Sequence, residues 1–593
     1  MQFRNEERMM KRAKYIVFSS IALALIVLTF VIKYEADQEY AKKLAANQEQ
    51  ESATAKDNAV LDVTVNPAGG VLFHLGKDVY VRAASYEYEF EQQQTIEKYH
   101  ATDTILTFNV RDQEQELGTL TTTIRQIDRG DQLVFAEFLS VTQEPVTIAL
   151  QLVSNSSDVS ELRFDDIEFV REHDNTFGVN ETTNLAGLFR FEERAYEVIA
   201  SQNFISRELV KEYEDGDKSV VRELIEEQRH VVAEQRGEQS VVSMPLTGAA
   251  GQISESWFLV GANTLFNNDA DALYYRNYSE IYHIRSQIWL NATGAYTKLP
   301  WSIEPSTPQG YGRNVLHQRG KIYLDELISN GDTRFHYAML MNSINYLLDR
   351  KVEGQLWETE YTSTWLKNDY GIRAPYTDTR HNENIALFLT DAGDYLGDEM
   401  LQNMYFEYAD YLSNQVNIDN VLATENGYFI LDYYGDTLTK KTHVSLNHAL
   451  GEMNFLLQAY GREPNQQYMN TAIAVKQAIE DTGLQWVRED TSDFWYQING
   501  DYTFSGRDYE ILTLGDILNT LTIYKNLGLK YDPVLYATMI GHKVGYINLT
   551  GIPVTNALEN ALKHHGFGFL LTPETERDDN SENEPAKSAP QAS

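Results

Sequence analysis

Two hydrophobic rhythms divide the chain. Up to about residue 265, apolar positions alternate with polar ones. Leu61, Val63 and Val65 are spaced by Asp62 and Thr64; Tyr86, Tyr88 and Phe90 by Glu87 and Glu89; Val146, Ile148, Leu150 and Leu152 by Thr147, Ala149 and Gln151. A period of two suits strands with one buried face, and turn signals such as Asn66-Pro67-Ala68-Gly69-Gly70 separate the runs. Residues 58–265 are expected to form a β-sandwich domain, interrupted by one charged helical stretch over roughly 206–236.

Beyond about residue 270 the period becomes 3.6. Tyr337, Leu340, Met341, Ile344, Leu347 and Leu348 make one stripe; Leu446, Ala449, Leu450, Met453, Leu457 and Tyr460 a second; Ile517, Leu518, Leu521 and Tyr524 a third. Four helix pairs are expected: 313–329 with 333–350, 381–396 with 398–415, 442–461 with 464–482, and 511–527 with 532–547. Aromatic insertions follow three of them, at 354–361, 426–435 and 493–502. An amphipathic pair cannot bury its face alone, so repeated pairs predict an α/α toroid over 270–571, with an open helical array as the alternative. The fold class expected is multidomain α+β. A β-sandwich joined to such a toroid is common among polysaccharide-acting proteins, by fold-level analogy.

The first residues change the picture of where this protein works. Tyr15 to Ile32 reads YIVFSSIALALIVLTFVI, eighteen residues without a charge. At about 1.5 Å per residue this just crosses a bilayer core of roughly 30 Å. A cleavable signal peptide is the competing reading, but Lys33, Tyr34 and Glu35 follow at once instead of a small-residue cleavage site. Arg4, Arg8, Lys11, Arg12 and Lys14 precede the run and hold residues 1–14 in the cytoplasm, with the bulk exported. The expectation is a single-pass membrane helix at 15–32, a polar stalk at 33–57, an extracellular bulk, and a disordered acidic tail at 572–593.

The formal net charge of −38 argues against nucleic acid as a partner. Cysteine is absent, which removes disulfides, thiol nucleophiles and Cys-based zinc sites. No phosphate loop, nucleophile elbow or metal-ligand spacing stands out, so neither a cofactor nor a metal is expected.

Candidate chemistry comes from comparing the starts of the four first helices. Each carries Arg or His at a corresponding point: Arg313, Arg380, His443 and Arg507. In a closed toroid these converge on one funnel beside the aromatic insertions. A cation at a helix N-terminus opposes the helix dipole, so such a cluster reads as recruited for an anion. Interhelix salt bridges and buried core histidines, His443 or His448, are the competing account. The aromatic pool (Tyr311, Trp357 and Trp495 foremost) suits a sugar partner, since pyranose faces pack on rings. Glycoside hydrolysis needs two carboxylates, and Glu358, Glu360, Asp378, Glu383, Asp508 and Glu510 are too many to choose among. Epimerase or lyase chemistry on a uronate needs a base, a cation for the carboxylate and an acid. Arg313, Arg380 and Arg507 would clamp the carboxylate, with Tyr434, His443 and Tyr496 as acid/base groups.

The stretch Ser445-Leu-Asn-His-Ala-Leu-Gly-Glu-Met-Asn-Phe-Leu-Leu-Gln-Ala459-Tyr460 resembles a helix of the D-glucuronyl C5-epimerases that ends in a Leu-x-x-Ala-Tyr pattern. Asp493-Phe-Trp495-Tyr496 resembles their Asp-Trp-Tyr segment, although Gln497, Ile498 and Asn499 stand where that family has acidic residues and another Tyr. Nor does that family's late Arg-Trp-Asp-Tyr segment have a counterpart here. The resemblance implies a membrane anchor, a β region and a C-terminal α/α domain, and carries over Tyr496 alone. Two further readings stand beside the epimerase or lyase. One is a non-catalytic glycan-binding or scaffold protein working with envelope-assembly proteins; the other is an inverting glycoside hydrolase.

Overall fold

The computed structural model describes residues 64–65, 70–166, 173–191, 196–281, 288–351 and 356–571. The expected membrane helix at 15–32, the stalk and the acidic tail lie outside the described residues. Among the described residues no helix is long and apolar enough to cross a membrane.

Alternation produces two antiparallel sheets. In Val79–Ala84 the residues Val79, Val81 and Ala83 are buried while Tyr80, Arg82 and Ala84 are half-exposed. This strand belongs to a six-stranded sheet with Thr64–Val65, Val71–His74, Val146–Ser154, Gln239–Gly248 and Val232–Arg236. A twelve-stranded sheet faces it, and Leu106, Phe108, Leu120, Val134 and Phe258 of the larger sheet share a core with Phe73, Val81, Leu150, Leu152 and Met244 of the smaller. The outer face of the large sheet is covered too: Leu133, Phe135, Phe204, Trp257 and Leu259 pack with Tyr337, Leu340, Met341 and Ile344. A strand buried on both faces cannot alternate, which is why Ile253–Gly261 ends in the unbroken run Trp-Phe-Leu-Val.

The helix expected over 206–236 is instead a hairpin, Asn203–Glu212 against Lys218–Gln228, followed by the strand Val232–Arg236. Charges spaced for helical pairing are satisfied across the hairpin: Arg207 faces Glu223, Glu208 faces Arg222, and Glu212 faces Lys218. Gly216, at φ +97°, makes the turn that a helix would not permit. Strands Thr297–Lys298 and Gly310–Gly312, read as part of the helical region, also hydrogen-bond into the large sheet.

The helical region is built from four hairpins: α1 (Lys321–Asn330) with α2 (Arg334–Arg350), α3 (Thr379–Leu396) with α4 (Glu399–Asn414), α5 (Leu446–Arg462) with α6 (Gln466–Thr482), and α7 (Leu512–Leu527) with α8 (Pro533–Thr550). The first is shorter than expected, because Arg313 follows a strand and Val315–Gln318 form a single 3₁₀ turn. The first helices of successive hairpins pack side by side, α1 on α3, α3 on α5, α5 on α7, as an inner layer.

Capping separates inner from outer helices. The outer helices α2, α4, α6 and α8 all have side-chain caps, from Thr333, Asp398, Asn465 and Asp532. Of the inner ones only α3 is capped, by Asp378; Gly320, Ser445 and Ile511 give no side-chain hydrogen bond to α1, α5 and α7. Their first N–H groups lack that partner, and the helix dipole adds positive potential at the same end.

Candidate active site

A short ribbon organises the chemistry. Strands Glu358–Thr359, Tyr376–Asp378 and Tyr433–Tyr434 form a three-stranded sheet in which Thr377 pairs with Glu358 and Tyr434, and Asp378 with Tyr433. Side chains of consecutive strand residues point to opposite faces, so the ribbon divides two cavities. Asp378 and Tyr433 line a cleft of about 590 Å³. Glu358, Thr377 and Tyr434 line a pocket of about 330 Å³.

The cleft is walled by the starts of all four inner helices: Lys321 and Ile322 of α1, Arg380, His381 and Asn384 of α3, Asn447 and His448 of α5, and Leu512 of α7, with Tyr509 just before it. His448 is the best-supported of these groups. Its Nδ1 lies 2.9 Å from the Thr379 hydroxyl and 3.7 Å from Asp432 Oδ1. Burial lowers its pKa against the opposing pull of Asp432 and Asp378. Burial alone would raise Asp432, but His448, His443 and Ser445 outweigh it and hold the carboxylate below its ordinary value. Ser445 spends its hydroxyl on Asp432, at 2.6 Å, which is why α5 has no side-chain cap. Burial, with Asp378 adding to it, pushes the Tyr509 hydroxyl up to about 12. Asn447 Oδ1 is buried without a hydrogen bond, and His381 Nδ1, also buried, has only Asp378 Oδ2 near it, at 3.8 Å.

The four cations expected to converge do not. Arg380 lines the cleft, but its guanidinium bridges inner helices: it donates twice to Asp516 at 3.0 and 3.1 Å and once to Glu383 at 2.9 Å. Arg313 is bidentate to Glu360, which also pairs with Arg350 at 3.0 Å. Arg507 is exposed on the strand Phe504–Arg507 and donates to the Tyr546 hydroxyl at 2.9 Å. His443 is wholly buried, with Nδ1 3.0 Å from the Tyr370 hydroxyl and Nε2 3.3 Å from Asp432. In an acidic chain each guanidinium met a carboxylate or hydroxyl before it could serve an anion.

The aromatic residues separate in the same way. Tyr311 is buried in the large sheet, its hydroxyl donating to Asn180, and Trp357 is core, its indole N–H donating to the Leu347 carbonyl at 2.7 Å. Trp495 is half-buried under the Arg488 guanidinium. Tyr496 stands behind Tyr509, ring centroids 5.8 Å apart, and burial raises its hydroxyl well above the ordinary value. Tyr434 faces the other pocket. Of the four expected cations only Arg380 lines the cleft; His381, His448 and Tyr509, which lie within a few positions of Arg380, His443 and Arg507, line it as well. One residue turns a helix by about 100°, so a neighbour presents a different face.

No protein-family model and no curated protein matches the chain. Among solved structures, the chain is similar to a family 76 glycoside hydrolase (mannosidase) from Bacteroides thetaiotaomicron VPI-5482, at 10% identity and a TM-score of 0.31, over 47% of this chain and 78% of that one. It is similar to a D-mannose isomerase at 12% identity and a TM-score of 0.33, over 47% of this chain and 70% of that one. A cellobiose 2-epimerase from Spirochaeta thermophila DSM 6192 matches at 10% identity and a TM-score of 0.29, over 42% of this chain and 59% of that one.

Proposed function

We propose that the protein is a membrane-tethered, extracytoplasmic carbohydrate-active enzyme, an epimerase or lyase that acts on a uronic-acid-containing polysaccharide by removing the proton α to the carboxylate. The observation that carries this reading is the meeting of the His381 and His448 imidazoles with the Tyr509 phenol in one cleft at the starts of the inner helices, where His317 also lines the wall. The tether rests on the uncharged run at 15–32.

His448 is the base. Burial keeps its imidazole neutral at pH 7, and Asp432 behind it stabilises the imidazolium once the proton arrives. The electron pair of the broken C–H bond passes into the sugar carboxylate as an enediolate. Lys321 and the uncapped starts of α1, α5 and α7 receive that charge; the Lys321 pair with Asp325 is exposed and readily exchanged. Tyr509, protonated at any physiological pH, returns a proton to the opposite ring face in an epimerase. In a lyase the pair instead expels the oxygen on the β carbon, which leaves with that proton.

Hydrolysis is less well supported. It needs two carboxylates flanking the bond. Of the carboxylates lining the cleft, Asp378 accepts the His381 N–H as the α3 cap and Asp325 is paired with Lys321. The test is incubation of the full chain with uronate polymers in D₂O, following deuterium at C5 and absorbance of a new C=C bond. Neither signal with any uronate polymer would sink the reading and leave a glycan-binding scaffold in its place.

A further inference from the structure

The pocket across the ribbon from the cleft takes no part in this chemistry, and its lining is of the opposite character. Asp217, Glu358 and Asp436 stand around it with the hydroxyl-bearing Thr377, Tyr411, Tyr434 and Thr437. No Lys or Arg lines it, and none of the three carboxyl groups makes an ion pair or hydrogen bond through its side chain among the described residues. Burial, then Asp436 and Asp217, raises the Glu358 pKa, so the three groups repel one another across the cavity. The Tyr411 hydroxyl is fully buried and makes no hydrogen bond of good geometry, although the Thr377 hydroxyl is beside it. Unpaired acids and an unsatisfied buried hydroxyl both await a donor.

A metal ion does not fit. Among the described residues no three His, Cys, Asp or Glu side chains come close enough to hold one. The acids are spread round the wall of a cavity of about 330 Å³, a volume in the range of small-ligand sites, roughly 300–1,000 Å³. A spread ring of acceptors with hydroxyls between them suits a cation carried on a polyhydroxylated body.

We propose that this pocket binds an amino-sugar unit with a free ammonium group, its cation shared among Asp217, Glu358 and Asp436 and its hydroxyls bonded by Tyr411 and Tyr434. The site is independent of the cleft chemistry and does not depend on that reading. Free amino sugar and an amino-sugar unit of a polymer present the same group, and the assay separates them.

Isothermal titration of the full chain in detergent would use D-glucosamine, its β-1,4 tetramer, D-glucose and N-acetyl-D-glucosamine. The expected result is that glucosamine or its tetramer binds at least tenfold more tightly than either neutral sugar, and more weakly as salt is added. A tetramer tighter than the monomer identifies a polymer as the source; equal affinity per site identifies the free sugar. Asp436→Asn, at an exposed position, and Glu358→Gln should each weaken binding about tenfold, the loss of one hydrogen bond to a charged group. His448→Gln, across the ribbon, should not change it. Equal binding of glucose and glucosamine, no binding of either cation, or loss with His448→Gln and not with Asp436→Asn would each overturn the proposal.

Discussion

Tyr433 and Tyr434 are consecutive on one strand and face different cavities, Tyr433 the cleft and Tyr434 the acidic pocket. Two neighbouring phenols are therefore not interchangeable acid/base candidates. Tyr434→Phe is expected to leave uronate C5 exchange within about twofold of wild type. Tyr509→Phe should lower it by roughly 10²–10⁴, the usual contribution of a positioned proton donor. Comparable losses in the two variants, read by deuterium incorporation, would show that the ribbon does not separate the cavities functionally.

What was legible in the sequence was whatever depends on near neighbours. The period-two strands and the paired helices follow from local burial, and the aromatic insertions emerge as short strands beside the helix starts. What stayed hidden depends on distant partners. Arg380 meets Asp516 136 residues away, and Arg313 meets Glu360 47 residues away. No local pattern tells a guanidinium awaiting a ligand from one already bound by a carboxylate on the next helix. The hairpin after Asn203 has a helix-like charge pattern for the related reason that opposite charges serve a helix face and a strand pair equally well.

A second prediction concerns pH. Glu137 and Glu255 are direct cross-strand partners in the large sheet, and burial followed by the Glu255 charge pushes Glu137 up to about 7, from 4.5. Between those two values the folded state holds a proton that the unfolded chain has released, so this group makes stability fall as pH rises from about 4.5 to 7. Glu137→Gln removes that slope. Urea titrations should show the variant gaining on wild type by on the order of 2 kcal/mol at pH 8, with no gain at pH 4. A constant offset at both pH values would contradict the assignment.

A third prediction concerns Lys543. Fully buried on α8, it donates to Asp493 at 2.6 Å, Asp508 at 2.7 Å and the Tyr509 carbonyl at 2.7 Å. It thereby fixes the backbone of a cleft residue from behind. Lys543→Met strands two buried carboxylates and should cost about 3–5 kcal/mol. Adding Asp493→Asn and Asp508→Asn should recover much of that stability, since no buried charge remains. If the triple variant is no more stable than the single one, the charges are not what the lysine holds in balance.

Topology is checked on intact cells. If residues 15–32 span the membrane with the N-terminus inside, external protease should degrade the folded bulk and spare only a short N-terminal fragment. Protection of the bulk would reverse the orientation and remove extracellular polysaccharide from consideration.

The sharpest test is Arg380. Four converging cations would repel, and Arg380→Gln would then leave the melting temperature unchanged or raise it. The ion pairs reverse that expectation. Arg380 sits between Asp516 and Glu383, and the small residue Gly451 on α5 leaves it room, since a Cβ there would overlap the guanidinium. Burial pushes Glu383 up to about 7 even with its cation present, and it raises Asp516 as well. Removing the guanidinium strands both carboxyls and raises their folded pKa values further. The variant's deficit therefore grows as pH rises through the carboxylate range toward and beyond 7, where both groups must ionise without a partner. At pH 8 the cost should reach about 3–5 kcal/mol; at pH 4.5, with both carboxyls protonated in the variant, it should shrink to the value of the lost neutral hydrogen bonds, about 1–2 kcal/mol. Arg380→Gln with Asp516→Asn should restore part of the loss at pH 8 and little at pH 4.5. An unchanged melting temperature at pH 8 would mean that the guanidinium is held for a ligand after all, and that His448 and Tyr509 share the cleft with a working carboxylate clamp.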